Sequence, residues 1–200
     1  MLALAGCTRE GDIGEGGITA VRSACPIVAV PAGTGDITLF DPPASRAASA
    51  IDVNAILTNV TSSCDDSGEM IRTTINFEVR GTRRDTGAAR DVTLPYFVTM
   101  LQGGTSVVSK RVGEVTLRFA AGQSRAVATA TGYTTVSRAA ATLPDDIRRQ
   151  ILAKRKAGDE TAALDPLARP EVRQAVLRAT YEALVGFQLT DEQLKYNATR

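Results

Sequence analysis

Two hundred residues with a net charge of +1, 44% hydrophobic and 22% charged, suffice for a self-sustaining core and exert no global pull on nucleic acid or an anionic membrane. Histidine is absent, which removes Ser-His-Asp and Cys-His catalysis, histidine-ligated metals and a histidine pH switch. Tryptophan is absent too and aromatics are 4%, so platforms for stacking sugars or bases are scarce.

The chain opens Met1-Leu2-Ala3-Leu4-Ala5-Gly6-Cys7, and Leu4-Ala5-Gly6-Cys7 resembles the bacterial lipobox. That resemblance implies transfer of diacylglycerol to the Cys7 thiol, cleavage before it, and acylation of the freed amine. Each buried methylene contributes about 0.8 kcal/mol and one acyl chain holds only marginally, so several chains are needed for a permanent anchor. Six residues precede Cys7 and none is basic. An export signal needs a basic start and an apolar stretch of about 7–15 residues, so the signal is expected to begin upstream of Met1. No stretch of about 20 apolar residues marks a transmembrane helix. Residues 8–24 hold Gly11, Gly14, Gly16 and Gly17 and read as a flexible tether spanning roughly 20–25 Å.

If Cys7 is lipidated, Cys25 and Cys64 remain. An exported protein meets an oxidising compartment, where such a pair most simply forms a disulfide. Closing that loop is worth roughly 4 kcal/mol on a chain-entropy estimate. Two buried thiols in a reducing compartment are the alternative; a zinc site lacks its other ligands.

Residues 25–137 carry β signals. Cys25-Pro26-Ile27-Val28-Ala29-Val30 is a short apolar run ended by Pro31, followed by Ile37 to Phe40. Ile51, Val53, Ala55 and Leu57 alternate with polar or neutral neighbours. Ile71, Thr73, Ile75, Phe77 and Val79 share one face, with Arg72, Thr74, Asn76, Glu78 and Arg80 opposite: the period of a half-buried strand. Val92, Leu94, Tyr96, Val98 and Met100 repeat it, and Pro95 within that run points to an edge or a bulge. Val115, Leu117 and Phe119 follow, then a Thr-rich strand from Ala126 to Val136. Asp65-Asp66-Ser67-Gly68, Asp85-Thr86-Gly87, Gln102-Gly103-Gly104 and Ala121-Gly122-Gln123 supply turn chemistry between the runs. About seven short strands with one polar face predict an antiparallel, immunoglobulin-like β-sandwich; a lipocalin-type barrel is the alternative.

Residues 138–200 change character. Thr142-Leu143-Pro144-Asp145-Asp146 starts a helix, with proline in the first turn and acids at the positive dipole end; Lys154, Arg155 and Lys156 fill its last turn and Gly158 closes it. A second helix begins near Pro170 and runs to about Thr180. Residues 181–189 fit either helix or strand, and a strand returning to close the sheet is favoured. Thr190-Asp191-Glu192-Gln193 is a capping box for a short terminal helix. The expected organisation is a signal remnant at 1–7, a tether at 8–24, a sandwich at 25–137, and a helical insertion with closing strand and terminal helix at 138–200.

Cys25-Pro26-Ile27-Val28, the strand ending at Cys64, Tyr96-Phe97-Val98 and Gly186-Phe187-Gln188-Leu189-Thr190 together resemble a family of uncharacterised proteobacterial envelope lipoproteins. The resemblance implies a lipid anchor on Cys7 and the Cys25 and Cys64 pair. It implies no activity.

Other candidate sites have bland readings beside them. Asp65, Asp66 and Glu69 lack the ligand series of a calcium loop and read as a solvated turn. Arg148, Arg149, Lys154, Arg155 and Lys156 could touch anionic headgroups, but nearby acids favour a solvated helix face. Gly33-Thr34-Gly35 is too short for a phosphate loop. Asn59-Val60-Thr61 and Asn197-Ala198-Thr199 match the glycosylation sequon by coincidence in a bacterial protein. No catalytic, metal or cofactor residue is predicted and no nucleic-acid partner. The expectation is a non-enzymatic envelope protein, lipid-anchored in the outer membrane facing the periplasm, that binds or assembles an envelope protein partner. The alternatives are a carboxylate-dependent enzyme acting on envelope polymers and a structural lipoprotein contacting the cell wall.

Overall fold

A computed structural model describes residues 12–14, 17–19, 23–153 and 165–199. The fold is mainly β, with two four-stranded sheets, one of them curled, and helices near the C-terminal end. Within the segment expected as a tether, β1 (Asp12–Gly14) and β2 (Gly17–Thr19) pair antiparallel. The other residues before 23, the lipobox included, lie outside the described residues.

The remaining strands are β3 (Ile27–Ala29), β4 (Asp36–Phe40), β5 (Ile51–Asp65), β6 (Met70–Arg83), β7 (Arg90–Gln102), β8 (Ser106–Phe119), β9 (Arg125–Ser137) and β10 (Tyr181–Phe187). One sheet has the order β4-β5-β6-β9 and the other β3-β10-β7-β8. Their inner faces share one core, in which Val53, Ile75, Phe77 and Val79 of the first meet Leu94, Val98, Leu117, Val185 and Phe187 of the second. Burial on β6 alternates from Ile71 to Arg83, as the period-2 pattern predicts. A second cluster of Ile71, Met100, Val136, Ala141 and Tyr181 lies toward one end. Between the clusters sit Thr73 and Thr134, buried cross-strand neighbours on β6 and β9.

Small residues match large ones across the interior. A Cβ at Gly113 would lie 2.6 Å from Tyr96 Cζ, and one at Gly132 would lie 2.5 Å from Val98 Cγ2. The burial of Tyr96 holds its phenol above the ordinary 10.0. Its hydroxyl donates to the Thr131 carbonyl at 3.2 Å.

Two expectations are corrected. The strand at 181–187 exists, but it does not cover an edge left by β9. β9 pairs with β6, whereas β10 is inserted in the other sheet, antiparallel to β7 and parallel to β3. Pro95 marks neither an edge strand nor a bulge. β7 is central, and its register shift lies at Met100/Leu101. The Pro95 carbonyl accepts from the Gln188 N–H at 2.9 Å, just past the end of β10. In an antiparallel strand the N–H and C=O of one residue point the same way. The missing donor therefore falls beyond β10, and the ladder to β8 is spared.

Between β9 and β10 lie α1 (Arg138–Ala141), α2 (Asp145–Leu152) and α3 (Pro170–Arg178). Ile147 of α2 packs on Val172 and Ala175 of α3 in a small cluster of their own. The basic residues 154–156 and Gly158, expected at the end of the helix that corresponds to α2, lie outside the described residues. α4 (Asp191–Thr199) ends the described chain. Its capping box forms as predicted: the Gln193 N–H donates to Thr190 Oγ1 at 3.3 Å and the Thr190 N–H to Gln193 Oε1 at 2.9 Å.

Candidate functional site

Cys25 and Cys64, 39 positions apart in sequence, form a disulfide with Cα atoms 6.1 Å apart. Bringing Cys64 inward depends on a parity change. Val53, Ala55 and Leu57 place odd-numbered residues of β5 toward the core. Between Thr58 and Thr61 the register to β6 shifts by one residue, around Asn59 at a φ of 50°. Asparagine tolerates this left-handed geometry better than a branched side chain. The bulge turns even-numbered residues inward beyond it, so Cys64 lies opposite Thr73 on the inner face, where Cys25 packs on the second cluster. Cys7 lies outside the described residues.

Two surface grooves flank the sandwich. The larger, about 710 Å³ and open, lies between the ends of β6 and β9 and the start of α2, lined by Glu69, Met70, Arg138, Leu143 and Asp145. Arg138 Nε donates to the Gly68 carbonyl at 2.8 Å, and Asp145 faces Arg148 at 3.4 Å. The smaller, about 400 Å³, lies between β4 and α4, lined by Thr38, Phe40, Arg46, Asp52, Glu192 and Tyr196. Asp52 accepts from both terminal nitrogens of Arg90, at 3.0 and 2.6 Å. That hydrogen bonding holds the guanidinium above its ordinary value. Glu192 accepts from Arg46 at 2.8 Å, and Arg46 stacks on Phe40, whose ring meets Tyr196 edge-on. Both carboxylates in this groove are thus engaged by arginines that hold α4 and β5 in place.

Asp65 Oδ1 accepts from the Ser67 hydroxyl at 2.7 Å and its N–H at 3.0 Å, closing a turn; these bonds hold the carboxyl below its ordinary 3.8. No group of three acidic or sulfur ligands able to hold a metal occurs among the described residues. Gly33, at a φ of 77°, forms a turn in which Thr34 packs on Gly186 and accepts from the Phe187 N–H at 2.8 Å. Asn197 of α4 donates to the Gly33 and Asp36 carbonyls at 2.9 and 2.8 Å, so both of its amide protons are used. Asn59 donates to Glu78 at 2.7 Å. Arg149 is exposed on α2 beside Arg148. No helix among the described residues is long and apolar enough to cross a membrane.

Sequence reasoning missed three arrangements. Arg83 is 5% exposed and donates to three backbone carbonyls, those of Ala88 at 2.7 Å and of Ala120 and Gln123 at 2.9 Å. The alternation on β6 was the available signal, because it continues inward through Val79 and Gly81 to Arg83. The ion pair between Asp52 and Arg90 joins different strands and left no local trace. The third is the convergence of Arg72 and Arg111 on Tyr133. Comparison with protein-family models, curated proteins and solved structures finds no match for this chain.

Proposed function

We propose that this chain is a non-enzymatic lipoprotein of the bacterial envelope, anchored through Cys7, whose sandwich binds an envelope protein. The observation that carries the binding reading is the outer face of the β3-β10-β7-β8 sheet. Register aligns Ile27, Glu182, Leu101 and Val107 in one row and Phe97 and Val112 in the next but one, with Thr99 and Lys110 in the row between. Ile27, Val107 and Val112 are 70%, 65% and 60% exposed. Isolated surface apolar residues are ordinary, but contiguous ones on a sheet face characterise interaction surfaces. Lys110, set over Phe97, and Glu182 place one charge of each sign within this surface, so a partner must match both its apolar and its charged groups.

The Cys25–Cys64 disulfide supports an oxidising destination and leaves Cys7 without a cysteine partner in the chain, consistent with acylation. The finer fold reading, an immunoglobulin-like sandwich, is supported by the two facing sheets and by the crossings between them from β6 to β7 and β8 to β9. The consecutive run β4-β5-β6 in one sheet speaks against it.

The experiment expresses the chain behind a complete lipoprotein signal, with photo-crosslinking residues at Val107 or Val112. Palmitate should label the protein, and Cys7→Ser should abolish both labelling and membrane partitioning. Crosslinking in native membranes should give one discrete adduct from either position and none from exposed Thr82 on the opposite sheet. Equal labelling of Cys7→Ser would refute the anchor; adducts indifferent to position would refute the surface.

A further inference from the structure

We propose that Arg72, Arg111 and Tyr133 form a receptor for a phosphate group at the seam between the two sheets. Arg72 lies on the outer face of β6, diagonal to Tyr133 on β9: Arg72 pairs with Thr135, and Thr74 with Tyr133. Arg111 comes from β8 of the other sheet, opposite inward-facing Val98, and leaves the sandwich at its edge. The guanidinium carbons of Arg72 and Arg111 stand 4.2 and 4.8 Å from the centroid of the Tyr133 ring. The two charges are therefore no further apart than the sum of those distances.

Like charges held together need compensation, and the ring supplies part of it. Its π face attracts each guanidinium and holds the flat donor fork in place. A net positive charge remains. Arg46, Arg80, Arg90, Arg118 and Arg148 each face a carboxylate within 4.0 Å. Among the described residues Arg72 and Arg111 have neither an ion pair nor a hydrogen bond of this kind, and Tyr133 is 37% exposed. An incoming anion therefore meets two guanidiniums, gathered at one half-open ring, that no carboxylate among the described residues engages.

The geometry selects the anion. A carboxylate presents one planar edge, which one fork satisfies. A phosphate is tetrahedral and carries acceptors on several sides, so it engages both forks and still has an oxygen for a hydroxyl. Thr74 and Thr135, cross-strand neighbours of Tyr133 and Arg72 on the same face, supply such donors. The phosphate of a soluble ester and that of a lipid headgroup share this chemistry. The site stands on its own residues, whether or not Cys7 carries lipid.

The test uses the full, non-acylated chain with its disulfide formed. Glycerol phosphate is titrated while the Arg72 and Arg111 Nε–H resonances are followed by NMR. Vesicles of phosphatidylcholine with and without phosphatidic acid form the second arm. Saturable shifts at both arginines are expected, and Arg72→Gln or Arg111→Gln should each weaken binding at least about tenfold. Arg72→Lys and Arg111→Lys keep the charge and lose the fork, so they should also weaken it, which keeps the result readable if a glutamine variant fails to fold. Arg125→Gln removes the same charge elsewhere on β9 and should leave binding within about twofold. Binding of glycerol phosphate assigns a soluble ester; binding of phosphatidic acid vesicles alone, with the same arginine dependence, assigns a headgroup. Binding of neither probe, indifference to both arginines, or an equal loss in Arg125→Gln would overturn the proposal.

Discussion

Replacing Arg83 with methionine keeps an unbranched apolar stem and removes the charged guanidinium head. Arg83 ties together two loops that carry the chain from one sheet to the other: residues 84–89 between β6 and β7, and 120–124 between β8 and β9. The loops also bond directly, from the Gly122 N–H to the Thr86 carbonyl at 2.7 Å. A hydrogen bond to a charged group nets about 1.5–3 kcal/mol. Three such bonds from one guanidinium do not add fully. Ala88, Ala120 and Gln123 are exposed, so their carbonyls regain water when the donor goes. Methionine also spares the desolvation of a buried cation. The net loss expected is about 3 kcal/mol, equivalent to about 6–12 °C in Tm for a domain of this size. Urea unfolding should show a lower midpoint with an unchanged slope, since the same surface is exposed. Amide exchange at Gly122 should accelerate beyond the global change, because its bonds depend on the two loops staying together. An Arg83→Met protein within about 0.5 kcal/mol of the parent, with Gly122 still protected, would refute the clamp.

Cys25→Ser with Cys64→Ser should cost about 4 kcal/mol, the chain-entropy value for a loop of this length, and equilibrium unfolding of oxidised and doubly substituted protein measures it. Deletion of residues after Thr180 removes the buried side chains of Tyr181, Val185 and Phe187 from the middle of a sheet. At about 1.5–3 kcal/mol for each large apolar group, against a total of about 5–15 kcal/mol, the truncated chain should lose its cooperative transition in circular dichroism. A soluble truncation melting near the parent would contradict the central position of β10.

Where burial alternates without interruption, the sequence was readable. Residues 71–79 and 92–100 read as strands because inward positions are mostly apolar and outward ones mostly polar, despite Thr73 inside and Pro95 and Phe97 outside. The cap on α4 was readable because Thr190 and Gln193 act on neighbouring backbone. The alternation on β5 reaches only to Leu57, and the family resemblance alone extends the strand to Cys64. Past Leu57 the residues Asn59, Thr61, Ser62 and Ser63 carry no apolar period; pairing to β6 holds that stretch extended instead. The first half of β8 was missed likewise, because Val107, Val108 and Val112 are exposed and break the alternation. The position of β10 depends on which strands find each other, and no local pattern encodes that. The disulfide was inferred from compartment and count, while the bulge at Asn59 that makes it reachable was not. The Arg72–Tyr133–Arg111 group joins three strands of two sheets, so only the closed seam brings its members together.

The disulfide also decides how the molecule bears tension. Cys25 precedes β3 in the chain, and β3 is held by a ladder of only three residues on its parallel neighbour. A pull on the segment before Cys25 reaches the covalent bond first and passes through Cys64 into β5, whose ladder with β6 continues to Val53. The load bypasses the three-residue strand β3 and enters a long antiparallel ladder. In the reduced protein the same pull would be resisted only by the packing of Ala24 and Cys25 on the second cluster and by the short ladder of β3, which would peel from β10 and uncover its edge. Oxidation thus moves the point of mechanical attachment from a weak margin of the sandwich to its interior.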